Sequence, residues 1–256
     1  MNALESNRYT SAWREFGRGI PRPSAVLVIS AHWYINVTAV TAMAQPRTIH
    51  DFFGFPAELR ATNYPAPGSP HLAAEVAELL KPVHVGLDLD SWGLDHGAWS
   101  VLVHALPEAD VPVVQLSINS HKTFFEHFGL GMRLAPLRER GVLILGSGNV
   151  VHNLPTIDWG ARDTGFDWAH RFNESIKSVV TENPERILEA PNHADFAKSV
   201  PTPDHFIPLL YLAGLAYATG HTLRPLIDGY AMGSLSMASY TLDATILPWV
   251  LPRTPD

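Results

Sequence analysis

Two apolar runs in this chain lead into a histidine. One is Ser24-Ala25-Val26-Leu27-Val28-Ile29-Ser30-Ala31-His32-Trp33. The other is Val142-Leu143-Ile144-Leu145-Gly146-Ser147-Gly148-Asn149-Val150-Val151-His152-Asn153, where a Gly-Ser-Gly turn precedes the histidine. Imidazole serves near neutral pH as a general base or a metal ligand. In α/β proteins ligands gather outside the carboxyl ends of the sheet strands, so a histidine delivered there suits either role. His205 follows Thr202-Pro203-Asp204. With Thr202 as N-cap and Pro203 as first helical residue, the helix dipole would keep its ring neutral, as a metal ligand must be. Pro208 offers another start, near Ile207, that leaves His205 in the preceding loop. His96 stands in Trp92-Gly93-Leu94-Asp95-His96-Gly97-Ala98-Trp99, where the glycines would let the backbone come close to a ligand.

The chain contains no cysteine, which excludes disulfides, thiolate ligands and a thiol nucleophile. Any metal must be held by His, Asp or Glu, a donor set that suits non-haem iron, zinc or manganese. His71, His84, His121, His127, His170, His193 and His221 lie in polar or helix-surface settings, most of them expected in solvent, whereas His104 is expected to pack in an apolar helix. A net charge of −7, with Lys and Arg scattered, argues against a nucleic-acid partner. The first residues have no basic start and no apolar core of a signal peptide. The longest apolar stretch, 206–218, is too short to span a bilayer. A cytoplasmic protein with no membrane partner is the expectation. No pattern bears on oligomeric state.

The elements that must position these histidines alternate along the chain. Residues 5–19 read as an amphipathic helix. The Val/Ile-rich run before His32 reads as a strand buried on both faces. Val37 to Met43 alternates and is β-branched, and its closeness to the previous run suggests a hairpin. Residues 45–69 hold four prolines and the aromatics Phe52, Phe53, Phe55 and Tyr64. That composition reads as an ordered pocket wall with His50 and Asp51 facing in. Ser69-Pro70 caps a helix. Strands follow at Val83 to Leu89, Val111 to Ile118 and the run before Gly146. Helices are expected around Phe125–Arg140 and from Trp168 through Val179. Leu223 to Ile227 and Leu235 to Leu242 read as final strands, and residues 252–256 as a frayed tail. With no repeat or composition break, residues 1–256 form one α/β domain, a mixed, mostly parallel sheet with helices on both faces.

Six motifs occur in order: Ser30-Ala31-His32-Trp33, Thr48-Ile49-His50-Asp51-Phe52, Tyr64-Pro65-Ala66-Pro67-Gly68, Leu94-Asp95-His96-Gly97-Ala98-Trp99, Gly148-Asn149-Val150-Val151-His152-Asn153 and Thr202-Pro203-Asp204-His205. In this the chain resembles the class III extradiol ring-cleavage dioxygenases, and within them the 4,5-DOPA dioxygenase-like proteins, from Met1 to about Leu242. The resemblance implies a single α/β domain that opens a catechol ring with O2. It implies that His32 and His205 are metal ligands. His152 matches an acid–base group that can itself approach the metal, and His96 an active-site histidine that contacts substrate or oxygen. The implied metal is Fe(II), with Zn(II) an inert occupant of the same ligands. The implied substrate is a DOPA-like or otherwise substituted catechol.

The family also has a first strand ending in His-Gly-x-Pro, whose histidine is a metal ligand. Here Met1-Asn2-Ala3-Leu4 aligns just after that motif. The expectation is an unpaired sheet edge, a poorly filled core and a weaker metal site. A start codon placed too late is favoured over a real loss, which would leave a non-catalytic relative that binds aromatics or a partner. A zinc-dependent hydrolase built on the same histidines ranks below both. It would work equally well without O2.

Overall fold

The computed structural model describes residues 2–242 except Phe53 and Phe55. Those two aromatics of the expected wall, and the expected tail at 252–256, lie outside the described residues. In chain order the elements are α1 (Arg8–Gly19), β1 (Ala25–Ile35), β2 (Ala39–Thr41), α2 (Ala57–Ala61), α3 (Pro70–Leu79), β3 (Gly86–Asp88), α4 (His96–Ala105) and β4 (Val113–Asn119). There follow α5 (Phe124–Arg133), α6 (Pro136–Glu139), β5 (Val142–Ser147), α7 (Asp167–Glu182), α8 (Phe196–Ser199) and α9 (Ile207–Ala218). The short strands β6 (Leu223–Ile227), β7 (Tyr230–Ala231), β8 (Leu235–Ser236) and β9 (Ser239–Leu242) come last. No helix among the described residues is long and apolar enough to cross a membrane.

The main sheet runs β3-β2-β4-β1-β5. β1 pairs in parallel with β4 and β5, β2 pairs in parallel with β3, and β2 meets β4 antiparallel. The mixed, mostly parallel sheet is therefore as expected, but the hairpin is not. β2 touches β4 through Val40 and Leu116, not β1. Both edges of β1 are taken by the apolar runs of β4 and β5, so its neighbour in sequence is displaced beyond β4. Side chains alternate across the sheet. Ala25, Leu27 and Ile29 of β1 pack in one core with Leu72, Val76, Phe172 and Leu210. Val26 and Val28 pack in the other with Tyr64, Trp99 and Leu102. Helices thus cover both faces.

Local chemistry sets the ends of the helices. Asn7 and Glu126-paired Thr123 close capping boxes on α1 and α5, and Ser69 caps α3 with Pro70 in its first turn. α9 begins at Ile207 with Pro208 in its first turn, where a missing N–H costs nothing. His205 therefore lies in the loop before α9 rather than in its first turn.

β5 has a partner on only one side among the described residues. Beside its free edge runs an apolar cavity of about 400 Å³, lined among others by Trp13, Phe16, Leu143, Leu145 and Leu212 and reaching His205.

His127 corrects another expectation. It is fully buried, and its Nδ1 lies 3.1 Å from the Tyr211 hydroxyl. Burial pushes its pKa down to about 4. The unfolded chain takes up this proton near pH 6.5, so the folded state loses stability as pH falls from about 6.5 towards 4 and keeps it above that window, a loss on the order of 3 kcal/mol. Replacing His127 with Phe should flatten that part of the curve of urea-unfolding free energy against pH. Parallel curves for the two proteins would refute the assignment.

Candidate metal centre

The histidines converge where the paired part of β1 gives out, next to the carboxyl end of β5. β1 stays in register with β5 as far as Ser30 opposite Ser147. Its pairing with β4 is interrupted between Ile29 and Tyr34, and His32 lies in that gap. His96 opens α4, whose N-cap is Asp95. The Asp95 carboxylate faces the sheet, away from His96. Its Oδ1 accepts from the Ser30 hydroxyl at 2.8 Å and the Ala98 N–H at 3.1 Å. Its Oδ2 accepts from the Gln115 amide at 2.7 Å, and Gln115 in turn accepts the Asp95 N–H at 2.9 Å. This buried joint fixes the start of α4 against β1 and β4. A Cβ on Gly97 would lie 2.5 Å from Ser30 Oγ and 2.9 Å from His32 Cδ2. This glycine therefore serves helix–strand approach, not the ligand approach expected from sequence.

The aromatic loop supplies a carboxylate. Its first part lies along residues 92–94: Ile49 N–H donates to Leu94 O at 2.7 Å, and Leu94 N–H to Arg47 O at 2.8 Å. The Trp99 indole donates to Ile49 O at 2.9 Å. Asp51 then falls between two imidazoles. Its Oδ2 is 3.0 Å from His32 Nδ1, and its Oδ1 is 2.9 Å from His96 Nδ1 and accepts the His96 backbone N–H at 2.9 Å. His50 turns the other way, its Nε2 2.8 Å from the Thr62 carbonyl oxygen. Of the two residues expected to face in, Asp51 meets the histidines and His50 braces the loop. The Phe52 ring stands nearly perpendicular to His96, with ring centroids 5.2 Å apart.

The turn after β5 brings in the last pair. Asn149 N–H donates to the His205 carbonyl at 2.9 Å, and His205 Nδ1 lies 3.0 Å from Asn149 Oδ1. A Cβ on Gly148 would collide with that same carbonyl. His152 stacks on His205, with centroids 3.4 Å apart and planes within 4°. His32 is 3.9 Å from His96 and 5.4 Å from His205, centroid to centroid. The structure thus brings His32, His96, His152 and His205 together, and adds Asp51 and Asn149. From the sequence Asp51 was expected at the pocket wall without an assigned role, and Asn149 appeared only as a member of a motif.

Burial and charge set opposite protonation tendencies in this cluster. Burial pushes the His152 pKa down to about 4. Burial, with the neighbouring imidazoles His152, His32 and His96, holds His205 well below its ordinary range. Neutrality at His205 was expected from a helix dipole; desolvation is the cause. At His32 burial opposes charge, but the hydrogen bond to Asp51 and the nearby Asp95 and Asp204 raise its pKa. Burial also opposes charge on Asp51, yet hydrogen bonds from His32 and His96 hold its carboxyl well below the usual range.

The donor set fits a divalent ion of the imidazole-preferring kind. Donor atoms of His32, His96 and Asp51 all lie within 4.8 Å of one another. Two imidazoles that bind one tetrahedral ion at about 2.1 Å have centroids about 5 Å apart. The His32–His205 pair, 5.4 Å apart with planes at 78°, matches that geometry. The His152–His205 stack does not, because one ion can lie in the plane of only one of two parallel rings. Gly97→Ala should cost about 1–3 kcal/mol by overpacking, read from urea unfolding. Gly129→Ala is the control, a helical site with nothing within 4 Å, and should be neutral or stabilising. Equal effects at the two sites would contradict the close approach described.

Residues 5–238 match the family model described as the catalytic LigB subunit of aromatic ring-opening dioxygenase. The chain is 48% identical over 243 residues to a 4,5-DOPA dioxygenase extradiol of Escherichia coli (strain K12), covering 93% of this chain and 89% of the relative. It is 36% identical over 255 residues to a protein of the same name from Beta vulgaris, covering 94% and 90%. A crystal structure of an uncharacterized protein from Escherichia coli K12 superposes with a TM-score of 0.82 at 43% identity, covering 93% of both chains. With this fold, this cluster of histidines and these relatives, the chain belongs to the LigB family of aromatic ring-opening dioxygenases, the class III extradiol enzymes.

Proposed function

We propose that the protein cleaves the ring of a DOPA-like or related substituted catechol with O2, at a non-haem metal held by His32 and His205. The observation that carries this reading is the convergence of four imidazoles next to the carboxyl end of β5, His32 and His205 at co-ligand separation. The name shared by the two relatives supports the substrate class. Fe(II) bound there would supply a Lewis acid for the catechol oxygens and a site for O2, and Zn(II) would occupy the same ligands without redox chemistry. Asn149 orients His205 through its Nδ1. His152, neutral because it is buried, takes a proton from a catechol hydroxyl as general base. Its stack on His205 favours that role over a place in the ligand set with His32 and His205. His96 faces the substrate, its ring held between Asp51 and Phe52.

The test is O2 consumption after anaerobic loading with Fe(II), across L-DOPA and other catechols. Catechol-dependent uptake is expected. Its absence with every catechol, or turnover of an ester or amide that proceeds equally without air, would overturn the proposal. Replacing His152 with Ala should slow turnover by about 10²- to 10⁴-fold while catechol binding persists; unchanged turnover would remove His152 from the base role.

A further inference from the structure

A neutral imidazole carries one proton, and the hydrogen bond made by one ring nitrogen decides which nitrogen holds it. An ionised carboxylate only accepts hydrogen bonds. Asp51 places one oxygen on Nδ1 of each of two rings: Oδ2 at His32, 3.0 Å, and Oδ1 at His96, 2.9 Å. Both rings must then carry their proton on Nδ1 and turn a Nε2 lone pair the other way. Among the described residues no hydrogen bond reaches Nε2 of His32 or His96. The His96 backbone N–H also binds Oδ1, so the carboxylate is fixed to the start of α4 as well as to the two rings.

The loop that carries Asp51 is itself held. Ile49 and Arg47 make backbone hydrogen bonds with Leu94 just before α4, the Trp99 indole donates to Ile49 O, and His50 ties the loop to Thr62. The carboxylate is thus delivered by a braced segment far in sequence from His32. We propose that Asp51 is the positioning residue of the site. It sets the tautomer and orientation of His32 and His96 together, so that one carboxylate aligns a metal-binding ring and a substrate-facing ring. Carboxylate–histidine–metal arrangements of this kind raise ligand basicity and fix the ring, and their loss commonly weakens metal affinity about 10- to 100-fold. The proposal deepens the reading above and rests on it for the roles of the two rings.

Long-range proton–nitrogen NMR of the histidine rings tests it, on the metal-free chain at a pH above the titration of His32 and again after Zn(II) loading. The wild-type spectrum should show His32 and His96 protonated at Nδ1. In Asp51→Asn the amide keeps one acceptor oxygen and gains a donor, so at least one of the two rings should move its proton to Nε2. Zn(II) affinity, measured by chelator competition, should fall about 10- to 100-fold. Protonation at Nε2 of both rings in the wild type would overturn the proposal, as would unchanged affinity in Asp51→Asn. Loss of Zn(II) binding far beyond that range would also overturn it, because Asp51 would then be a ligand. Should Asp51→Asn fail to fold, the wild-type tautomers decide alone. None of these readouts uses catechol or O2, so failure of the dioxygenase reading and failure of this one are told apart.

Discussion

The site depends on one fully buried carboxylate whose hydrogen bonds go to the sheet and α4 rather than to any of the clustered imidazoles. Asp95 accepts from Ser30 on β1, from Gln115 on β4 and from the first turn of α4, and it has no exposed surface. A buried charge with fewer partners would be expensive. With these it becomes a fixed joint between two strands and a helix. His96 is the next residue, so the joint determines where that ring stands relative to His32. The absence of a side chain at Gly97 then permits the two rings to come within 3.9 Å. Everything else in the cluster is arranged against this pair.

Much of this was legible in the sequence, and for physical reasons. Continuous Val/Ile runs identified the strands β1, β4 and β5; β1 and β4 are buried on both faces, as such runs imply, whereas β5 lies at the sheet edge and is mostly half-buried beside the cavity. Ser69-Pro70 identified the start of α3. His32 and His152 met because β1 and β5 run parallel, so the chain leaves their paired parts on the same side of the sheet. The two openings offered for α9 were both physically sound; Pro208 decided between them, as a proline belongs in a first turn and not a turn later.

What was not legible involved pairs far apart in sequence. No local pattern says that β4 lies between β1 and β2, because the pairing of a strand is decided by which edge is free when the sheet closes. The polar surroundings of His127 did not reveal that Tyr211, on another helix, would cover it. In the same way His50 and Asp51 are neighbours whose side chains leave in opposite directions, one to the loop and one to the histidines. Composition marked the loop as ordered; only the fold shows which of the two faces the site.

The sheet order carries a consequence for how the protein is made. β1 is flanked by β4 and β5, which the ribosome delivers much later, and His205 follows later still. Contacts of such long range form slowly and only after the intervening chain exists. A nascent chain that has emerged through α4 holds His32, Asp51 and His96 but lacks the strands that align them. Under the proposed ligand assignment, metal capture waits for the strands and the loop that carry His152 and His205, and so for completion of the whole domain rather than of any early folding unit.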